Sequence, residues 1–248
     1  MVYLLRHRFK LLLATLMTLI VFVPIVLADL ASAVGEAGRA LAIAFTLWFL
    51  LIATMAAGGK RATWVFILAL VVPSLLVEIA AAYLWPGKID VFNHGLRMIF
   101  LGFIVAQLLR HLFDPEVVTV DTLCASLCVY LLVGLVWMNL YVIIETLRPG
   151  SYLTVVRTEE ATTGVIGEAD RITRMLYFSF TTLTGVGYGD IVPATHGARI
   201  AAVTEALVGQ SYLLIMVSRL VGLHVSQALD RRRAAPDEQR NEVQESRP

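Results

Sequence analysis

The sequence predicts an all-α membrane protein with six transmembrane helices and one shorter re-entrant helix. Of its 248 residues, 58% are hydrophobic, and the mean hydropathy is +0.76, whereas soluble proteins hold about 45–50% apolar residues. The excess is gathered into runs close to the ~20 apolar residues that a helix needs to cross a bilayer. The formal net charge is only +1, and no basic stripe with interleaved aromatic residues indicates nucleic-acid binding. The lipid bilayer is therefore the first predicted partner.

Six apolar runs define the predicted spans, which are Leu11–Leu30, Ala40–Ala57, Ala62–Trp85, Leu96–Phe113, Thr122–Leu147 and Ala198–Ser226. An amphiphilic stretch, Ile172–Thr184, lies between the last two spans and precedes a glycine-rich run. It predicts a helix that enters the membrane without crossing it. The charged tail Asp230–Pro248 lacks apolar periodicity and predicts disorder. The chain then divides into an N-terminal four-helix region (1–113), a region with the re-entrant helix (114–229) and the tail (230–248).

The distribution of basic residues predicts a multi-pass protein of the cell membrane (plasma or inner) with both termini in the cytoplasm. Cytoplasmic loops carry an excess of Lys and Arg. One side of the predicted spans holds Arg6, Arg8, Lys10, Lys60, Arg61, Arg110, Arg231, Arg232 and Arg233. The loops on the opposite side hold Arg39 and Lys88. The re-entrant segment therefore enters the membrane from outside.

A second interpretation of the N-terminus is a secretory signal. The basic start, the apolar run and Ala31-Ser32-Ala33 resemble such a signal with its cleavage site. We favour a retained helix, because the apolar run is longer than that of a usual signal. Cleavage would leave five helices in the same orientation.

Reactive side chains predict neither an enzyme nor a cofactor. Cys124 and Cys128 are four residues apart in one apolar run, where thiols behave as small hydrophobic groups. No further metal ligands stand near them, and the other His, Asp and Glu residues form no recognisable constellation. The tail of nineteen residues is too short for a soluble ligand-binding domain.

The most informative stretch is Thr184–Asp190, which reads TGVGYGD. A cation that crosses a membrane must exchange its hydration shell for other oxygens, and backbone carbonyls can supply them. Irregular backbone is tolerated at membrane depth only where protein encloses it or it lines a water-filled path. Gly187 and Gly189 permit the positive φ angles that aim successive carbonyls at one axis. The side chains of Val186 and Tyr188 then point away from that axis, and the preceding helix turns its negative dipole end toward the cation.

These residues resemble the pore region of the potassium channel superfamily, whose hallmark is a Thr-Val-Gly-Tyr-Gly selectivity filter after a pore helix. The resemblance covers Thr122–Ser226. It implies passive K⁺ transport through a homotetrameric pore, with K⁺ held by the filter carbonyls of Gly185, Val186, Gly187 and Tyr188. The implied ion-binding residues are Thr184, Gly185, Val186, Gly187, Tyr188 and Gly189. The chain is most similar to small bacterial channel proteins in which a Glu and a Gly-Gln pair recur in the inner helix, like Glu205 and Gly209-Gln210 here.

The chain departs from that family at its filter. Gly185 replaces the first filter Thr, so the hydroxyl that completes the innermost ion site is missing. The partners of the Asp190 counterpart are commonly Trp and Glu, but Tyr177 and Thr181 stand at those positions. We expect a weaker inner site and a filter that inactivates more readily.

Two further residues of the last span are candidates for supporting roles. A buried carboxylate in a membrane must be paired or face a wet cavity. We therefore expect Glu205 either behind the filter or at the cavity wall, where it can share a hydrogen bond with the pore helix. Gly209 is a candidate gating hinge, with close helix packing as the alternative.

Voltage gating is not expected to be strong. A voltage sensor needs several basic residues at every third position of the fourth span, and only Arg97 and Arg110 occur there. Two alternatives to a potassium-selective channel stay open because of Gly185. One is a non-selective cation channel, and the other is a non-conducting accessory membrane protein with a pore-like fold.

Overall fold

A computed structural model describes residues 9–21, 90–113, 119–154 and 168–245, and the fold is mostly helical. In chain order the elements are α1 (Phe9–Val21), α2 (Asp90–Phe113), α3 (Val120–Leu147), β1 (Tyr152–Thr154), α4 (Glu168–Leu183), β2 (Ile191–Pro193) and α5 (His196–Glu245). The predicted spans Ala40–Ala57 and Ala62–Trp85 lie outside the described residues, as does the second half of Leu11–Leu30.

Three of the described helices are long and apolar enough to cross a membrane. Their candidate spans are Val91–Phe113, Val120–Leu147 and His196–Arg219. They correspond to the predicted fourth, fifth and sixth spans. The N-terminal α1 is a shorter apolar helix.

Local chemistry sets the limits of α3. Thr119 precedes it, and the Thr119 hydroxyl accepts a hydrogen bond from the backbone N–H of Thr122 at 3.3 Å. The Thr122 hydroxyl in turn accepts from the backbone N–H of Thr119 at 3.4 Å, which completes a capping box. The helix ends just before Pro149 and Gly150, where the backbone turns with a φ of 83° at Gly150.

The last helix, α5, is longer than the sequence predicts. Disorder is predicted from Asp230 onward, whereas the helix continues to Glu245. The tail is rich in Arg, Ala, Glu and Gln, which are strong helix formers. Because these residues extend an existing helix, they need no new nucleus, although Pro236 among them has no backbone N–H to donate.

A two-stranded sheet, which the all-α prediction lacks, joins the end of α3 to the start of α5. The strands β1 and β2 are antiparallel, with Tyr152 opposite Pro193 and Thr154 opposite Ile191. The backbone N–H of Ala194 donates to the carbonyl of Ser151 at 2.8 Å and extends the pairing. Strands this short carry no periodic signal that a sequence pattern can detect. Because β1 precedes α4 in the chain and β2 follows it, the sheet holds the chain on both sides of α4 near the C-terminal end of α3.

Two buried clusters fix α3 and α4 in place. The first joins α1, α2 and α3 and includes Leu12, Leu16, Ile104, Leu108, Cys128 and Leu132. The second joins α3, α4, α5 and both strands. In it the rings of Tyr141, Tyr152 and Phe178 pack against one another with centroids 5.0–5.4 Å apart. Aromatic pairs prefer such tilted and edge-to-face contacts, so this end of the helical bundle has a defined arrangement.

Candidate functional site

The candidate site is the loop Thr184–Asp190, called here the glycine loop, which connects α4 to β2. Its glycines alternate with other residues and all have positive φ, namely 75° at Gly185, 52° at Gly187 and 77° at Gly189. No other residue type has a positive φ in the described part of the chain. This conformation is strained for residues with a Cβ but accessible to glycine. Gly185 therefore occupies a third left-handed position, one more than the sequence analysis assigned.

The last turn of α4 holds the start of the glycine loop. The backbone N–H of Gly185 donates to the carbonyl of Thr182 at 3.0 Å, and that of Gly187 donates to the carbonyl of Thr181 at 3.1 Å. The Thr184 hydroxyl donates to the carbonyl of Phe180 at 2.6 Å. Thr181 thus contacts the loop through its backbone carbonyl, and its predicted role beside Asp190 stays a prediction. Its hydroxyl donates within α4, to the carbonyl of Phe178 at 3.0 Å.

An aromatic and acidic group supports the other end of the glycine loop. The rings of Tyr177 and Tyr188 are stacked, with centroids 6.3 Å apart and planes 5° from parallel. Desolvation, a hydrogen bond with Asp190 and the negative charge of that carboxylate raise the pKa of the Tyr177 phenol. Tyr177 therefore keeps its proton beside the Asp190 carboxylate, and its role in filter support stays a prediction. Asp190 also accepts from the backbone N–H of Ile191 at 3.1 Å.

Glu205 of α5 is fully buried between α3, α4 and α5. Its carboxyl group accepts a hydrogen bond from the Tyr141 hydroxyl of α3. The Ser179 hydroxyl of α4 lies 2.6 Å from the other carboxyl oxygen and 2.8 Å from the carbonyl of Gly134. No basic side chain of the described residues lies within ion-pair distance of Glu205. Glu205 is thus hydrogen-bonded to α4 through Ser179 and to α3 through Tyr141.

Gly209 lies where α5 crosses the end of α4. A Cβ at Gly209 would lie 2.6 Å from the carbonyl oxygen of Leu183, which is closer than real Cβ contacts come. The same carbonyl accepts a hydrogen bond from the Tyr130 hydroxyl at 3.0 Å. Gly209 therefore has a packing role at the base of the glycine loop, while its role as a hinge stays a prediction.

The structure adds residues that the sequence analysis did not select. They are Tyr130, Gly134, Tyr141 and Ser179. A glutamate within an apolar run signals that polar partners must exist. It does not identify them, because Tyr141 and Ser179 lie 64 and 26 residues away along the chain.

Comparisons with known proteins find similarity to ion channels. A family model described as an ion channel matches residues 119–224, which run from the cap of α3 into α5. "Two pore potassium channel c" of Oryza sativa subsp. japonica is 36% identical over 59 residues, which make up 24% of this chain and 13% of that protein. The match thus spans a small part of that relative's length.

Proposed function

We infer, since residues 119–224 match a family model described as an ion channel and a stretch of 59 residues resembles a potassium channel, that the chain is one subunit of a potassium-selective channel. Four copies would surround one conduction path, and K⁺ would cross it passively with no cofactor. The glycine loop serves in this proposal as the selectivity filter and α4 as the pore helix. Thr184 to Gly189 are the proposed ion-binding residues, with K⁺ held by backbone carbonyls.

The observation that carries this proposal is the alternation of left-handed glycines in the glycine loop. Residues of opposite handedness that follow one another turn successive carbonyls toward one side of the chain. Carbonyls in such a row can replace the hydration shell of a permeant ion. A third left-handed residue at Gly185 extends the row toward α4, so the missing Thr leaves the backbone ligands in place.

Exposure of the glycine loop supports assembly into a homotetramer. All residues from Thr184 to Gly189 are exposed in the single chain, and Tyr188 is 72% exposed. Irregular backbone at membrane depth must be enclosed by protein or line a water-filled path. Identical neighbours arranged as a closed ring would enclose the outer side of the loop and leave its inner side to the ion.

We further propose a cell-membrane protein with cytoplasmic termini and weak dependence on voltage. Arginine and lysine residues in α2 are limited to Arg97 and Arg110. Because each charge moved contributes about 2.3 kcal/mol per 100 mV, so few charges give a shallow response. In single-channel recordings, an open probability that changes only gradually with voltage would agree with this.

Ion flux from proteoliposomes that contain the purified chain tests the proposal. We expect K⁺ flux that greatly exceeds Na⁺ flux and that is lost in Gly187→Ala. A Cβ at Gly187 meets no atom within 4 Å of the single chain, but φ there is 52°, which costs a non-glycine residue about 1–2 kcal/mol. Gly197→Ala is the matched control, because a Cβ there also meets nothing and φ is not left-handed.

The outcomes separate the candidate functions. Loss of flux in Gly187→Ala but not in Gly197→Ala would support conduction through the glycine loop. Equal K⁺ and Na⁺ flux would favour the non-selective channel. Absence of flux with both ions, together with absence of K⁺-dependent stabilisation of the purified protein, would favour the accessory protein.

A further inference from the structure

The side chain of Gln210 lies beside the residue that replaces the usual filter Thr. A Cβ built on Gly185 would lie 3.1 Å from Nε2 of Gln210, and no other atom comes within 4 Å. The first side-chain atom of a Thr at this position would thus meet the Gln210 amide. The space that a Thr side chain would enter is bordered by a polar group from α5.

The Gln210 amide is available for a ligand. Gln210 is exposed in the single chain, and its amide has no hydrogen-bond partner among the residues that the structure describes. Its backbone is held firmly, because neighbouring Gly209 packs against the carbonyl of Leu183. An exposed amide without a protein partner can bind water or a ligand.

We propose that Gln210 supplies the polar group that Gly185 lacks and completes the innermost ion site of the filter. The proposal rests on the potassium channel function proposed above. An amide carries a carbonyl oxygen that can face a cation and an N–H group that can bind water. The oxygen and nitrogen exchange places by a half-turn of the amide. In a tetramer, four Gln210 side chains would form a ring of such groups at the end of the glycine loop nearest α4.

This arrangement also explains why residue 185 is a glycine. A Thr there would place a branched side chain at a φ of 75° and against Gln210. Gly185 removes both conflicts and leaves room for the amide. The two positions therefore work as a pair, in which α5 rather than the filter provides the polar side chain.

Ion-dependent thermal unfolding of the purified full chain tests the role of Gln210 without requiring an open gate. Ba²⁺ is the probe, because it is close to K⁺ in size and its double charge favours oxygen ligands. An ion that binds the folded state raises the unfolding temperature once its concentration exceeds its dissociation constant, so the ion concentration at the midpoint of this rise reports affinity. In Gln210→Leu, which keeps the size and removes the polar group, we expect the Ba²⁺ midpoint to rise about tenfold, or 1.4 kcal/mol. The control is Ser211→Ala, an exposed polar neighbour, which should leave the midpoint unchanged.

A second variant keeps the test decisive if Gln210→Leu does not fold. Gln210→Glu retains an oxygen and adds charge, so its Ba²⁺ midpoint should fall below that of the unchanged protein. Midpoints equal to the unchanged protein in either variant would overturn the role of Gln210 and leave the channel function intact. No stabilisation of the unchanged protein by K⁺ or Ba²⁺ would instead overturn the channel function, and the role of Gln210 with it.

Discussion

Glu205 shows how a single carboxyl group can be held inside an apolar bundle without a positive partner. It is fully buried, and Tyr141 and Ser179 are its hydrogen-bonding neighbours. The Ser179 hydroxyl has one proton, but it faces two acceptors, Glu205 and the carbonyl of Gly134. A proton on Glu205 lets each group donate once, from Tyr141 to Glu205, from Glu205 to Ser179 and from Ser179 to Gly134.

This proton count predicts that an amide can replace the Glu205 carboxyl group. In Glu205→Gln, the side-chain oxygen would accept from Tyr141 and the amide N–H would donate to Ser179. We expect the free energy of unfolding in detergent to change by less than about 1 kcal/mol. Glu205→Leu would leave the Tyr141 hydroxyl buried without an acceptor, which costs about 1–3 kcal/mol. If thermal unfolding showed equal destabilisation by both variants, the claim that Glu205 is protonated would be contradicted.

At the scale of helices, two glycines allow α4 to lie directly against its neighbours. A Cβ at Gly134 of α3 would lie 2.9 Å from the ring of Phe180, and one at Gly209 of α5 would lie 2.6 Å from the carbonyl of Leu183. Small residues permit such close approach of helices in membranes. The two sites differ because a ring at the end of a side chain can move, whereas a backbone carbonyl cannot move alone.

The difference predicts a graded response to alanine at these glycines. Gly209→Ala should destabilise the protein by about 1–3 kcal/mol, the usual cost of overpacking, and should displace the start of the glycine loop. Gly134→Ala should cost less, because Phe180 can rotate away. Gly222→Ala in α5 is the control, since a Cβ there meets nothing within 4 Å. Thermal unfolding of the three variants checks the order, and a cost of Gly209→Ala no greater than that of Gly222→Ala would contradict it.

The sequence predicted the helices of this region well because their signals are local. The end of α2 at Phe113 and that of α3 at Leu147 match, since an apolar run ends at each. The TGVGYGD motif located the glycine loop for the same reason. Contacts between distant segments escaped prediction. The pairing of β1 with β2 and the Tyr130 bond to Leu183 depend on three-dimensional approach, which no spacing in the sequence encodes.

At the scale of the whole molecule, Arg219 connects α5 to the helix that precedes the channel region. Its guanidinium group donates to the carbonyl of Leu112 and lies 4.9 Å from the ring centroid of Phe113, both at the end of α2. A cation near the last carbonyls of a helix is favoured by the helix dipole, and its position over an aromatic face adds to the attraction. The middle of α5 is thus tied to the end of α2.

This contact predicts that Arg219 stabilises the junction of α2 and α5. Arg219→Leu keeps the apolar stem but loses the guanidinium, so it should lower stability by about 1–3 kcal/mol. Arg110→Leu is the control, because Arg110 also lies in the last turn of α2 and is exposed. Hydrogen exchange should quicken at the end of α2 in the Arg219 variant alone. Unchanged exchange there would show that the two helices do not depend on this contact.

The exposure of the glycine loop has a consequence for the synthesis of the protein in a cell. A lone subunit would present the backbone from Thr184 to Gly189 without neighbours to enclose it, and each unsatisfied group in lipid costs several kcal/mol. If the subunits assemble as proposed, they must then meet before the loop settles at its final depth. In the proposed homotetramer a defective copy would act dominantly, since equal expression with an intact copy leaves about one tetramer in sixteen free of it.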